Sequence, residues 1–445
     1  MLDFLRPRVK PCSACVLVLG DINRSPRMRY HCISLAKAGY NVKVIAYLPG
    51  GNKPADFASQ VNIDMCPLSE APAWVSTVPS FLGYIFKFFF LAFYLFWALV
   101  FNARKCSFIL IQNPPALPTL PICGLFSLLF RVHLIIDFHN YAFSILALTL
   151  SKYHPFVYIT KLVEKFGGQY LASASFCVSK AMKKDLKQNW SIDSVTLYDC
   201  PTEIFKQAST IQSHDLFKRL SKTYPCFGSR TGKSNETALT VSTSQKNAEW
   251  LENRPLLVVS STSWTPDEDF GQFFDALDLY DEAVETALAE KLSDLIVVVT
   301  GKGPLKDHFL NRAETSNWKH ISFVAPWLTI SDYATLLGSA DVGVCCHYSS
   351  SGIDLPMKVV DMVGAALPVL ARGHYESLPE LVNEDNGFVF TSTDELFEQL
   401  CCLSTDKLEF IKRRKYLERS SRDPGNRWSG NWSKVALPVF ERFEK

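Results

Sequence analysis

Short apolar runs that end in polar or glycine turns recur along the chain, with helical patterns between them. Val16 to Leu19 and Val42 to Tyr47 flank a helical repeat that closes at Gly39, which predicts strand, turn, helix, strand. Such a βαβ unit requires parallel strands. The same grammar continues in "SFILIQNPP", "VHLIIDFHNY" and "SFCVSK", and returns later in "PLLVVSSTSW", "LIVVVTGKGP", "ISFVAPWL", "ADVGVCCH", "ALPVLAR" and "GFVFTS". The pattern predicts an α/β protein with two Rossmann-like, doubly wound domains facing each other across a cleft. The expected divisions are 1–205, a polar and mobile insertion over 206–254, a second domain over 255–425, and a C-terminal helix over 426–445 that returns to the first domain.

One segment breaks this grammar. Ser80 to Phe101, "SFLGYIFKFFFLAFYLFWALVF", carries Lys87 as its only charge and at about 1.5 Å per residue could span a bilayer. The flanking strands belong to one sheet, however, and a single crossing would divide that sheet between two sides of a membrane. A helix lying in or dipping into the membrane surface is therefore expected, and the aromatic content suits an interfacial position. "PPALPTLPICGLFSLLF" adds a second proline-framed apolar patch nearby.

Composition bounds the remainder. A length of 445 residues fits two domains of roughly 200 residues each. A formal charge of +2 with 20% charged residues argues against a nucleic-acid binder driven by net charge. Thirteen cysteines, an odd number with several inside apolar runs, fit thiols in a reducing compartment. Cys12 and Cys15 have zinc-like spacing, but no matching second pair follows. The short, polar, proline-interrupted start carries no secretory leader pattern.

Candidate chemistry lies where strands end. "VVVTGKGPL" puts Gly301, Lys302 and Gly303 after a strand, where bare backbone can approach a phosphate, although an ordinary turn reads the same way. "SSSGIDLPMKVVDMVG" places Ser351 and Gly352 before a helix whose free amides suit a diphosphate. Lys358 supplies a cation there, and Asp361, one turn on, can accept from a ribose diol. The alternative is a solvated ion pair worth a few tenths of a kcal/mol. In the first domain "LGDINRSPRMRYH" supplies Asp21, Arg24 and Arg27, suited to a phosphate-bearing ligand, and "IIDFHNYAFSI" supplies Asp137, His139 and Asn140. Glu203 is a further carboxylate candidate. No acidic cluster commits the chain to a metal, so dependence on a divalent cation stays open.

These stretches, with "LYDCP", "SSTSWTPDEDF", "PWL", "DYATLLGSADVGVCCHY" and "LPELVNEDNGFVF", occur in order over nearly the whole chain. The chain resembles glycosyltransferases of the two-Rossmann (GT-B) type and, among them, the chitobiosyldiphosphodolichol beta-mannosyltransferase family of the endoplasmic reticulum. The resemblance implies transfer of mannose from GDP-mannose to dolichol-diphosphate-linked di-N-acetylglucosamine with inversion, on the cytosolic face of the membrane. It further implies Asp21 or His139 as general base, Arg24, Arg27 and Asn140 toward the acceptor, and Gly301, Lys302, Gly303, Ser351, Gly352, Lys358 and Asp361 toward the donor. Other early mannosyltransferases of that pathway are implied neighbours. Two departures stand out: the amino-terminal anchor of relatives has no counterpart before Cys12, and "SSTSWTPDEDF" lacks the Arg and Lys pair with which many GT-B enzymes grip the diphosphate. A GT-B enzyme with another donor or acceptor and a catalytically silent subunit of a transferase complex remain the alternatives.

Overall fold

A strand that is apolar on both faces sits inside a sheet covered by helices above and below. The computed structural model describes residues 12–69, 80–265, 268–286, 292–373 and 375–444, with the side chains of 80–85 also outside the description, and it builds two such sheets. They belong to two units, one formed by residues 1–198 with 429–445 and the other by residues 199–428.

In the first unit the order is β1 (Ser13–Asp21), α1 (Pro26–Lys37), β2 (Asn41–Tyr47), β3 (Ile63–Pro67), α2 (Ser80–Asn102), β4 (Phe108–Asn113), α3 (Thr119–Phe130) and β5 (His133–Phe138). It continues with α4 (Ala142–Leu150), α5 (Pro155–Phe166), β6 (Ala174–Cys177), α6 (Lys180–Trp190) and β7 (Val195–Thr196). All pairings are parallel, in the order β3-β2-β1-β4-β5-β6-β7. The order reverses between β1 and β4, the place where open α/β sheets take ligands beyond their carboxyl ends. Pro26 opens α1, where its missing N–H is harmless. The helix buries Met28, Cys32, Leu35 and Ala36, and with them Arg27 and His31, one turn apart on the same inward face. Helix α2 anchors itself by Leu95 and Leu99 while Phe89, Phe93 and Phe101 stay exposed. Among the described residues no helix is long and apolar enough to cross a membrane.

The second unit runs α7 (Thr210–Leu220), β8 (Thr240–Ser244), β9 (Asn247–Trp250), β10 (Leu256–Ser261), α8 (Phe270–Glu285), β11 (Leu295–Thr300), α9 (Lys306–Thr315), β12 (Ile321–Val324) and α10 (Ile330–Ser339). It ends with β13 (Val342–Cys345), α11 (Met357–Gly364), β14 (Val369–Arg372), β15 (Gly387–Phe390), α12 (Thr393–Thr405) and α13 (Lys407–Ser420). Its sheet, β12-β11-β10-β13-β14-β15, repeats the doubly wound order and reverses between β10 and β13. Helices α14 (Trp428–Val435) and α15 (Leu437–Glu441) lead back to the first unit, where Phe440 stacks on Phe108 at 5.0 Å between ring centroids.

Residues 206–254 are folded, not a mobile insertion. Helix α7, the turn ending at Phe227 and the residue just before the β8–β9 hairpin bury Leu216, Phe217, Phe227 and Leu239 in the core of the second unit. Phe217 stacks on Phe227 at 5.6 Å, and the Ser213 hydroxyl meets that of Ser339 at 2.7 Å. The polar composition reflects the hairpin's exposed face, while a few large apolar residues hold the segment down. Phe217→Ala is accordingly expected to cost about 3–5 kcal/mol of the second unit's stability, measured by equilibrium urea denaturation; a loose insertion would leave the midpoint unmoved.

Candidate active site

In the first unit two of the candidate residues, Arg27 and His139, gather around one carboxylate. Asp137, at the end of β5 and fully buried, receives two hydrogen bonds from Arg27, Nε to Oδ2 at 2.8 Å and a terminal nitrogen to Oδ1 at 2.9 Å. Its Oδ2 also lies 2.9 Å from His139 Nε2 and 3.2 Å from His31 Nε2. Burial alone would raise the Asp137 pKa, but Arg27 above all, with His139 and His31, holds it well below the usual carboxylate range. His31 is fixed from its other side, because Trp432 Nε1 donates to its Nδ1 at 3.0 Å. That bond leaves the neutral ring its proton on Nε2, toward Asp137, and burial lowers the His31 pKa in keeping with the neutral form.

His139 is the one imidazole around Asp137 that reaches solvent, with its side chain 22% exposed. Donation from Nε2 to Asp137 leaves the Nδ1 lone pair free of the proton, the arrangement of a positioned general base. Asp21 sits differently: its Oδ1 accepts from the Asn23 amide at 3.0 Å and caps a short turn, and its Oδ2 lies 4.0 Å from Arg24 Nε. Arg24 points outward, 87% exposed. Arg27 requires correction. Its guanidinium is only 3% exposed and is committed to Asp137 and to the Leu197 carbonyl, 2.9 Å away, so it holds Asp137 and does not face an acceptor phosphate. Asn140 accepts from the Tyr141 amide at 2.7 Å, at the start of α4.

A buried glutamate that sequence reasoning missed braces this loop. Glu164 of α5 accepts from Asn113 Nδ2 at 2.7 Å and from the amides of Ala142 and Phe143 at 2.7 and 3.1 Å. Burial raises its pKa to about 7 despite those donors. The Asn113 carbonyl in turn accepts the His139 amide at 2.9 Å. A glutamate on an otherwise amphipathic helix gives no sequence signal of facing inward.

In the second unit a cavity of about 350 Å³ opens at the carboxyl ends of β10 and β11, lined among others by Ser261, Thr300, Trp327, Ile330, Tyr333 and Lys358. Trp327 and Ile330 stay exposed beside it, and Lys302 Nζ stands 4.0 Å from the Trp327 ring centre. Gly301 lines this cavity and Gly303 is exposed, and the facing loop fills the space on the side where each would carry a side chain. A Cβ on Gly301 would fall 1.8 Å from the Thr262 carbonyl oxygen, and one on Gly303 would fall 1.7 Å from that of Ser263. These glycines let two loops pack backbone to backbone, and Gly301 also needs its φ of +139°.

Lys358 is paired with Glu268, whose other oxygen accepts from the Thr262 hydroxyl and, at 2.7 Å, the Ser263 amide. The cation is thus tied to the loop after β10 while still lining the cavity. Ser351 Oγ lies 3.4 Å from Asp354, and Gly352 adopts φ +76° with open space where a Cβ would project. Asp361 lies next to Tyr333, which meets the Ser261 hydroxyl at 2.8 Å, so polar groups lead from the carboxylate toward the cavity wall. Burial, reinforced by Asp199 and opposed by Tyr333, pushes the Asp361 pKa up to about 8. Glu203 is exposed in the second unit near Arg427. Among the described residues no group of three or more His, Cys, Asp or Glu side chains is placed to hold a metal ion.

Two doubly wound sheets, each with candidate chemistry beyond its strand ends, define a glycosyltransferase of the GT-B type. The model of the family "Glycosyl transferases group 1" matches residues 270–406. At 13% identity the fold is shared with the solved structure of the Anabaena HepE protein in complex with UDP-glucose, at a TM-score of 0.63 over 96% of this chain and 99% of that one. A chitobiosyldiphosphodolichol beta-mannosyltransferase of Mus musculus is 38% identical over 96% of this chain and 88% of its own, and a relative of Arabidopsis thaliana named UDP-glycosyltransferase TURAN is 38% identical over 96% and 97%. The chain belongs to the chitobiosyldiphosphodolichol beta-mannosyltransferase family and is a glycosyltransferase.

A carboxyl held above its ordinary 3.8 costs stability once it is ionised, so the Asp361 penalty is absent below the ordinary value and complete above about 8. Asp361→Asn removes it. The variant's gain over the parent chain in urea denaturation is expected to grow between about pH 4 and about pH 8; a constant difference would contradict the raised pKa.

Proposed function

We propose that the protein transfers mannose from GDP-mannose to dolichol-diphosphate-linked chitobiose, forming a β1,4 bond, on the cytosolic face of the endoplasmic reticulum membrane. The observation that supports this reading is the 38% identity sustained over 96% of the chain with a relative named as a beta-mannosyltransferase of chitobiosyldiphosphodolichol. In this reading the donor's nucleotide occupies the cavity beside Tyr333, with the base against the exposed Trp327 and Ile330, the ribose toward Asp361, and the diphosphate toward Lys302, Lys358 and the loop of Ser351 and Gly352. The donor sugar is α-linked and the product β-linked, so a single in-line displacement inverts the anomeric carbon. His139 Nδ1 takes the proton of the acceptor hydroxyl as its oxygen forms the new bond, and GDP leaves with the electrons of the old one. Asp137 holds His139 by its Nε2 and stabilises the imidazolium that forms. Arg24, exposed at the end of β1, is the cation available to the acceptor diphosphate.

Purified protein is expected to turn over GDP-mannose with a lipid-diphosphate chitobiose and to be inhibited by GDP well below the concentration at which UDP acts. Preference for UDP would favour the donor that the Arabidopsis relative's name suggests. His139→Ala is expected to lower single-turnover transfer by about 10²–10⁴-fold with GDP affinity retained, whereas Asp361→Ala weakens GDP binding in a protein that still unfolds cooperatively. Full transfer by His139→Ala would move the base to Asp21.

A further inference from the structure

Most of the large apolar side chains that stay exposed among the described residues lie between Phe86 and Tyr170, on one helical layer of the first unit. The layer is continuous: α2 packs on α3, α3 on α5, and α5 on α4. Helix α5 shows how it is built. Val157, Thr160 and Glu164 face the protein, while Phe156, Tyr158, Ile159, Leu162 and Phe166 sweep the outer half of the helix, with Tyr158 64% exposed. Lys161 and Lys165 line one edge of that apolar arc, at the spacing of adjacent turns. Lys165 reaches the Asn189 carbonyl of α6 at 3.2 Å, so α6, bearing Lys180, Lys183, Lys184 and Lys187, extends the basic edge.

Between residues 142 and 190 the chain holds seven lysines against two acids, and neither acid faces outward alone. Glu164 is buried, and Asp185 is taken up by Tyr141 and Asn189. A chain of net charge +2 therefore concentrates positive charge beside its largest apolar face. Apolar and aromatic side chains bordered by lysines match the acyl boundary and head groups of an anionic bilayer.

We propose that the α3–α4–α5 layer docks on a membrane surface bearing anionic phospholipid, with α5 as the inserting element and its lysine edge on the head groups. This deepens the reading above and rests on it only for a membrane-embedded acceptor. The consequence for the site is geometric. Glu164 sits on the inner face of α5 and holds the amides that open α4 and, through Asn113, the loop of His139. A lipid-anchored acceptor rising from the docked surface thus meets a base braced by the docking helix itself.

The test is sedimentation of the full chain with vesicles of phosphatidylcholine alone or with about one fifth phosphatidylserine. The chain is expected to bind the anionic vesicles the more tightly. Ile159→Asp with Leu162→Asp lowers binding to both vesicles by at least about tenfold, and Lys161, Lys165 and Lys187 changed together to Gln removes most of the anionic preference. The milder Tyr158→Ser with Phe166→Ser repeats the apolar effect if the aspartates disturb folding, which circular dichroism checks. Unchanged binding in both apolar variants, equal binding to the two vesicles, or self-association that these variants abolish without any vesicle binding would overturn the proposal. Transfer to a water-soluble acceptor analogue is expected to survive in the apolar variants. Failure of the parent chain in that assay counts against the function and leaves the vesicle result standing.

Discussion

The first unit is organised around a negative charge without water. A bare carboxylate at the buried end of β5 would be prohibitively costly, and it persists because Arg27 meets it with two parallel hydrogen bonds. Removing one partner of such a pair typically costs about 3–5 kcal/mol, because the other charge stays buried. The arrangement couples distant parts of the chain, since Arg27 comes from α1, Asp137 from β5 and the Leu197 carbonyl from the segment after β7. His139 is held by the same atom that Arg27 holds, so its orientation depends on a salt bridge as well as on its own loop.

The second unit achieves order by other means. Its loops after β10 and β11 approach so closely that only glycine fits at two positions, and a glutamate then ties one loop to the lysine of α11. The polar chain of Ser261, Tyr333 and Asp361 runs from the end of β10 across α10 to α11. Here close backbone packing, hydrogen bonds and the Lys358–Glu268 ion pair together do what the Asp137 cluster does in the first unit.

Much of the architecture was legible because parallel strands buried on both faces leave continuous apolar runs, and their turns fall where ligands bind. Partners brought together by the fold were not. Nothing near Arg27 announces that a residue 110 positions later neutralises it, so an arginine in a polar turn reads as exposed. That the glycines after β11 also let the loop of Thr262 and Ser263 pack against them was not legible, because that loop is distant from them in sequence. The 206–254 segment misled for a compositional reason, since a handful of buried aromatics outweighs many surface serines and threonines. His31, Trp432, Glu164 and Glu268 escaped notice because each sits in a pattern that ordinary surface or core residues would also make.

The return of residues 429–445 to the first unit makes the second a long excursion between its parts. During synthesis the strands around Asp137 emerge early, yet Trp432, which fixes the His31 ring, arrives only after the whole second unit has been made. The second unit's residues are contiguous and can complete their core first. The surroundings of the Asp137 carboxylate are therefore finished last, and a nascent chain carries an incompletely covered ionic cluster until its final residues are made.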